Sequence, residues 1–152
     1  YGMGDEQLAA ARENLRRRGR EVGFEFGQRP RIWNTFDAHR LIHWAGLQGR
    51  QQAMKRALLQ AYQGDDRNPA DRAVLIDCAR QCGLDPAQAA AVIDSQAYAA
   101  EVRQAQAMWR QAGIQSVPSV IINGRHLIQG GQPVGVFEQA LRQLAQQPAA
   151  QD

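Results

Sequence analysis

Apolar residues recur at helical spacing through roughly the first 110 positions, and then the period changes. Residues 5–21 carry Leu8, Ala11 and Leu15 on one side, with acidic residues first and arginines last, the order a helix dipole favours. The following Gly-Phe-Glu-Phe-Gly-Gln-Arg-Pro-Arg-Ile stretch predicts an ordered loop that pins Phe24, Phe26 and Ile32 into a core. Asn34 is placed to cap a second helix, with Asp37 at its third position and Ala38, Leu41, Ile42 and Ala45 as its apolar face. A third helix follows Gly49, presents Ala53, Met54, Ala57, Leu58 and Ala61, and ends before Gly64. Asn68-Pro69 and Asp85-Pro86 each pair a capping side chain with a proline that pre-sets the first turn, so two more helices are expected to start there. The first of them uses Val74, Leu75, Cys78 and Cys82 and stops at Gly83; the second is short, over 87–93. A sixth helix is expected over 98–111, closed by Gly113.

From Ile114 the pattern is different. Ser-Val-Ile-Ile-Asn at 119–123 is a β-branched run, Asn123-Gly124 is a strong hairpin-turn signal, and residues 125–129 alternate polar and apolar. Gly130 and Gly131 end the hairpin, Pro133 opens a last helix, and Val136, Phe137, Ala140, Leu141 and Leu144 form its stripe, expected to be buried. The organisation is thus a helical domain over 1–112, a β-β-α unit over 113–146 and a frayed tail over 147–152. Three successive branched residues, Val120, Ile121 and Ile122, read as a strand covered on both faces and paired on both edges. A lone hairpin with one helix is marginal in water, so this sheet is expected to want further strands.

Composition narrows the function classes. With 152 residues, 44% of them hydrophobic, the chain can bury one core, and no apolar run approaches the roughly 18–20 residues of a membrane-spanning helix. The formal charge is +3, almost all of the positive side being arginine, with Lys55 the one lysine. Such a mild excess does not argue for nucleic acid. Arg16, Arg17, Arg18 and Arg20 fan around their helix and read first as a solvated face. The first residue is Tyr1 rather than Met, which leaves room upstream for further residues, a signal peptide or an entire element.

Several stretches together resemble the FrnE-like branch of the DsbA family: Tyr1-Gly-Met-Gly, Asn34-Thr-Phe-Asp-Ala-His-Arg-Leu-Ile, Val117-Pro118 ahead of the branched run, and Gly130-Gly-Gln-Pro. The likeness covers 1–146. It implies an α/β, thioredoxin-like fold of DsbA type with a helical domain inserted into it, and a proline, Pro118, held cis at the start of the first hairpin strand. It also implies a protein thiol-disulfide oxidoreductase. Family members carry a first strand, a helix opened by C-x-x-C and a second strand ahead of the region that matches; the 152 residues contain no C-x-x-C, so the catalytic cysteines are expected upstream. The same resemblance implies a bacterial cytoplasmic location, no resident cofactor, and protein thiols, disulfides or glutathione as partners; the charge and the apolar runs argue against nucleic acid and membrane, and the side-chain pattern against a metal.

Cys78 and Cys82 do not replace the missing pair. They are spaced C-x-x-x-C, late in a helix where the dipole disfavours a thiolate, and on an apolar stripe, so they read as buried, reduced, unligated thiols. By resemblance, Val117 and Pro118 present backbone groups to an extended substrate peptide, and Asn34 and Ser116 line the cleft; Asn34 reads first as a helix cap. His39 and His43 stand at i, i+4, but Arg40 occupies the place of the glutamate in H-E-x-x-H and no third ligand is evident, which disfavours zinc hydrolysis. Gly130-Gly131 reads as a tight turn before it reads as an anion cradle. Two other functions stay open: a glutathione-dependent enzyme on the same fold, of the 2-hydroxychromene-2-carboxylate isomerase or kappa-class transferase kind, and a non-enzymatic helical binding module whose hairpin edge is covered by a partner.

Overall fold

The computed structural model of the chain describes residues 4–146; the Tyr1-Gly-Met start and the tail at 147–152 lie outside the described residues. Seven α-helices and two strands follow in order: α1 Asp5–Glu21, α2 Phe36–Leu47, α3 Gln51–Leu59, α4 Arg72–Gln81, α5 Pro86–Asp94, α6 Ala99–Gln111, β1 Ser119–Ile122, β2 His126–Gln129 and α7 Val134–Ala145. The chain divides into two compact units between Arg103 and Gln104, inside α6.

The first unit holds the core. α2 packs on α3, α4 and α5, and α3 packs on α4. Leu41, Met54, Leu75 and Cys78 are fully buried there, surrounded by Trp44, Ala45, Leu58, Ala79 and Ala89. Complete burial of one such aliphatic side chain contributes about 1.5–3 kcal/mol. α1 ends where Gly23 adopts φ 76° and its N–H donates to the Arg20 carbonyl. Phe24 and Phe26 then stack edge-on with centroids 4.7 Å apart, and they lie over Gly19, where a Cβ would come within 2.6 Å of the Phe24 carbonyl. Both rings are half-buried, but Ile32 is 84% exposed and anchors nothing, contrary to expectation.

Three helix boundaries differ from the pattern for local reasons. Thr35, not Asn34, is the cap of α2; Asn34 sits one residue earlier and its Oδ1 accepts the Phe36 N–H at 2.9 Å, so it still satisfies a first-turn amide. α3 does not run straight to Gly64 but widens into a π turn, Gln60–Gly64. Asn68-Pro69 opens a turn and not a helix: Asn68 Oδ1 accepts the Ala70 N–H at 2.8 Å, and α4 begins only after Asp71, whose carboxylate takes the Ala73 N–H at 2.7 Å. Asp85 caps α5 as expected, accepting from the Gln88 N–H at 2.7 Å.

In the second unit β1 and β2 pair antiparallel, from Ser119 opposite Gln129 to Ile122 opposite His126. Asn123 and Gly124 take φ 54° and 67°, and the Arg125 N–H closes the turn on the Ile122 carbonyl at 3.2 Å, leaving a three-residue connection. Among the described residues the sheet has these two strands alone. The buried strand and buried helix stripe expected from the sequence are not found among these residues. Val120 and Ile121 are 38% and 37% exposed, no residue of α7 is buried, and Leu141 is 53% exposed. The apolar periods are as read, but burial also requires a covering surface, and the described residues of this unit bury none of their own.

Candidate functional site

The β-β-α unit builds one surface from the entry to its hairpin. α6 ends at Gly113 with φ 81°, and the chain turns through Ser116 and Val117 into β1. The Val117-Pro118 peptide is cis. The Pro118 carbonyl accepts the Gly130 N–H at 2.8 Å, which ties the start of β1 to the end of β2. Ser119 Oγ donates to the Ser116 carbonyl at 2.7 Å, and Ser116 Oγ reaches Gln129 Oε1 at 3.3 Å. These bonds brace the turn around Val117, a residue that is 89% exposed. Among the described residues neither the Val117 N–H nor its carbonyl has a hydrogen-bond partner. Val117, Pro118 and Ser116 therefore come together, and Gln129 joins them through the strand register, a partner that sequence spacing alone did not single out. Gly130, at φ 81°, and Gly131 form the tight turn, with the Gln132 N–H bonded back to the Gly130 carbonyl.

The other candidates lie in the first unit. Asn34 is exposed, its side-chain oxygen committed to the Phe36 amide. The His43 ring lies 5.2 Å from Tyr98, a packing contact. His39 is exposed, and the neighbouring protein that displaces water from its ring, followed by the Lys55 charge, holds its pKa below the ordinary value. Among the described residues no three His, Cys, Asp or Glu side chains are grouped so as to hold a metal ion, and no helix is long and apolar enough to cross a membrane.

Cys78 is fully buried and Cys82 half-buried, a partial correction to the expectation that both are enclosed. Burial pushes both thiols above their usual range, so each stays protonated at neutral pH. A thiol, not a thiolate, is a poor nucleophile.

No curated protein matches the chain. The DSBA-like thioredoxin domain family matches residues 3–142. Among solved structures, the chain is similar to that of a probable DsbA oxidoreductase from Streptomyces coelicolor, with 33% identity and a TM-score of 0.90 over 100% of this chain and 67% of that one. The mostly helical first unit and the small β-β-α unit are accordingly parts of a DsbA-type thioredoxin fold, and the chain belongs to the DsbA-like oxidoreductase family.

Proposed function

We propose that this chain supplies the helical domain and the β-β-α half of a FrnE-like protein thiol-disulfide oxidoreductase, with the C-x-x-C half provided by a segment outside these 152 residues. The observation that carries the reading is the exposed, unpartnered backbone of Val117 at the head of a strand whose second edge is unpaired among the described residues. An extended peptide can add to such backbone by strand-like hydrogen bonds, which grip main chain whatever the side chains are. The sequence contains no C-x-x-C, and its two thiols are raised in pKa, so the nucleophile has to come from elsewhere.

In the proposed site a thiolate attacks one sulfur of a substrate disulfide, forms a mixed disulfide and expels the other sulfur as thiolate. A second cysteine then displaces the bound sulfur; the substrate leaves reduced and the enzyme pair is oxidised. Protein thiols or glutathione restore the starting state. Insulin reduction and scrambled-ribonuclease refolding test the reading. Residues 1–152 alone should be inactive, and the same residues joined to their native upstream segment should be active. Equal activity from the two would overturn it.

A further inference from the structure

Positive charge is unevenly placed along this chain. Positions 12–31 hold seven arginines and three glutamates, net +4, while the remainder of the sequence is net −1. These positions form the second half of α1 and the loop after it. They surround a surface pocket of about 80 Å³ whose lining includes Arg12, Leu15, Arg16, Phe26, Arg29 and Gln63.

The pocket is held open by fixed groups. Asp66 accepts the Gln28 N–H at 2.9 Å and the Arg29 N–H at 2.6 Å, with Arg29 at φ 44°, and so sets the course of the loop. Gly27 sits so close to the π turn that a Cβ would fall 2.6 Å from both Asp66 Oδ1 and the Gly64 carbonyl. Across the pocket, Arg16 donates to Gln28 Oε1 at 3.0 Å and stands 3.8 Å from Glu13. The acidic groups nearby are already engaged: Glu13 also pairs with Arg20 at 3.2 Å, and Asp66 with the two backbone amides. Among the described residues, Arg12 and Arg29 have no acidic partner for their guanidinium groups.

We infer that this pocket binds a small oxyanion, a phosphate or a carboxylate, carried on a compact organic group that rests on Leu15 and Phe26. Three arginines line this pocket, and two of them, Arg12 and Arg29, have no acidic partner among the described residues, so an anion there supplies the missing countercharge. The guanidinium fork matches both kinds of oxyanion with paired N–H donors. A volume of this size has room for several waters or for one tetrahedral oxyanion. The site lies in the first unit and does not rest on the thiol-disulfide reading.

Purified residues 1–152 test it by titration calorimetry and thermal shift, using inorganic phosphate and acetate against chloride at constant ionic strength. A saturable rise in melting temperature with either anion is expected. A response to phosphate alone assigns a phosphorylated ligand, and a response to acetate alone assigns a carboxylate. The exposed pair Arg12→Gln and Arg29→Gln should weaken binding at least tenfold with an unchanged circular dichroism spectrum, and Arg110→Gln on α6 should leave it intact. No saturable response to either anion, or full binding by the double variant, would overturn the inference.

Discussion

Replacing Arg40 should destabilise the first unit more than its single acidic partner would suggest. Arg40 is 3% exposed in the middle of α2. Its Nε donates to the Ala97 carbonyl at 2.8 Å, and one terminal nitrogen donates to the Ser95 carbonyl at 2.7 Å and to the Val92 carbonyl. The other terminal nitrogen meets Asp37 Oδ1 at 2.8 Å. The guanidinium thus closes the C-terminal end of α5, whose last carbonyls have no partner within the helix, and its charge suits the negative end of that helix dipole. The same contacts fix the turn before Tyr98, which takes φ 62° and packs on His43.

Arg40→Met keeps most of the aliphatic bulk and removes every one of these donors. A buried carbonyl left unpaired costs about 1–3 kcal/mol. The Val92 carbonyl keeps only the long bond from the Ser95 hydroxyl at 3.3 Å, the half-buried Ala97 carbonyl loses its donor, and the exposed Ser95 carbonyl turns to water, so the loss should be about 2–4 kcal/mol. Arg40→Lys keeps the charge on a compact head that cannot span all four acceptors, and should cost about 2–3 kcal/mol. Asp37 is 43% exposed, so Asp37→Asn should cost less than about 1 kcal/mol. Urea unfolding followed at 222 nm gives the three values, provided the slope is unchanged. If Arg40→Met unfolds within 1 kcal/mol of the parent protein, or if Asp37→Asn costs as much, carbonyl capping is not what this arginine does.

Two further outcomes follow from the same unit. His39 binds a proton less readily folded than unfolded, so its contribution is complete above the unfolded value of about pH 6.5 and is lost as pH falls through the folded value; stability should drop between pH 7.5 and 5.5, and less so in His39→Gln. Gly19→Ala gains helix propensity of about 1 kcal/mol but drives its Cβ to 2.6 Å from the Phe24 carbonyl, so a net loss of about 1–2 kcal/mol is expected, and thermal melts showing a more stable variant would contradict that packing.

How far the sequence disclosed the fold depended on the range of the interaction. Caps and turns act over a few residues, and Asp85-Pro86 and Asn123-Gly124 stand where the pattern put them. Asn68-Pro69 carries the same local signal and still opens only a turn, because Asp71, three residues on, offers a second cap that the helix uses instead. Arg40 was legible only as a polar residue breaking a metal motif. Its carbonyl partners lie 52 to 57 positions away, and no periodicity reports on a bond of that span. The stripe of α7 has the right period, and its pattern predicts burial. Period is a property of the helix, whereas burial depends on what lies against it, and that is not encoded in the stripe.

The candidate site exposes a deeper limit on reading chemistry from residue types. Of the two thiol side chains, Cys78 is buried and Cys82 half-buried, and burial holds both protonated. The surface proposed to take a peptide is made instead of main chain: the amide and carbonyl of Val117, and the edge of β1. Backbone groups are the same at every position, so composition, charge and pKa carry no trace of them. What distinguishes Val117 is geometric. Pro118 and Gly130 fasten the strand on one side of it, the Ser116–Ser119 bond fastens the turn on the other, and the residue between is left with both its polar groups unpaired among the described residues. The run Ser-Val-Pro-Ser-Val-Ile-Ile indicated this place through family likeness, since only a motif records where a fold leaves backbone exposed. The polar groups that strand addition would use are supplied by the fold, and side chains such as Ser116 and Gln129 serve to hold the turn.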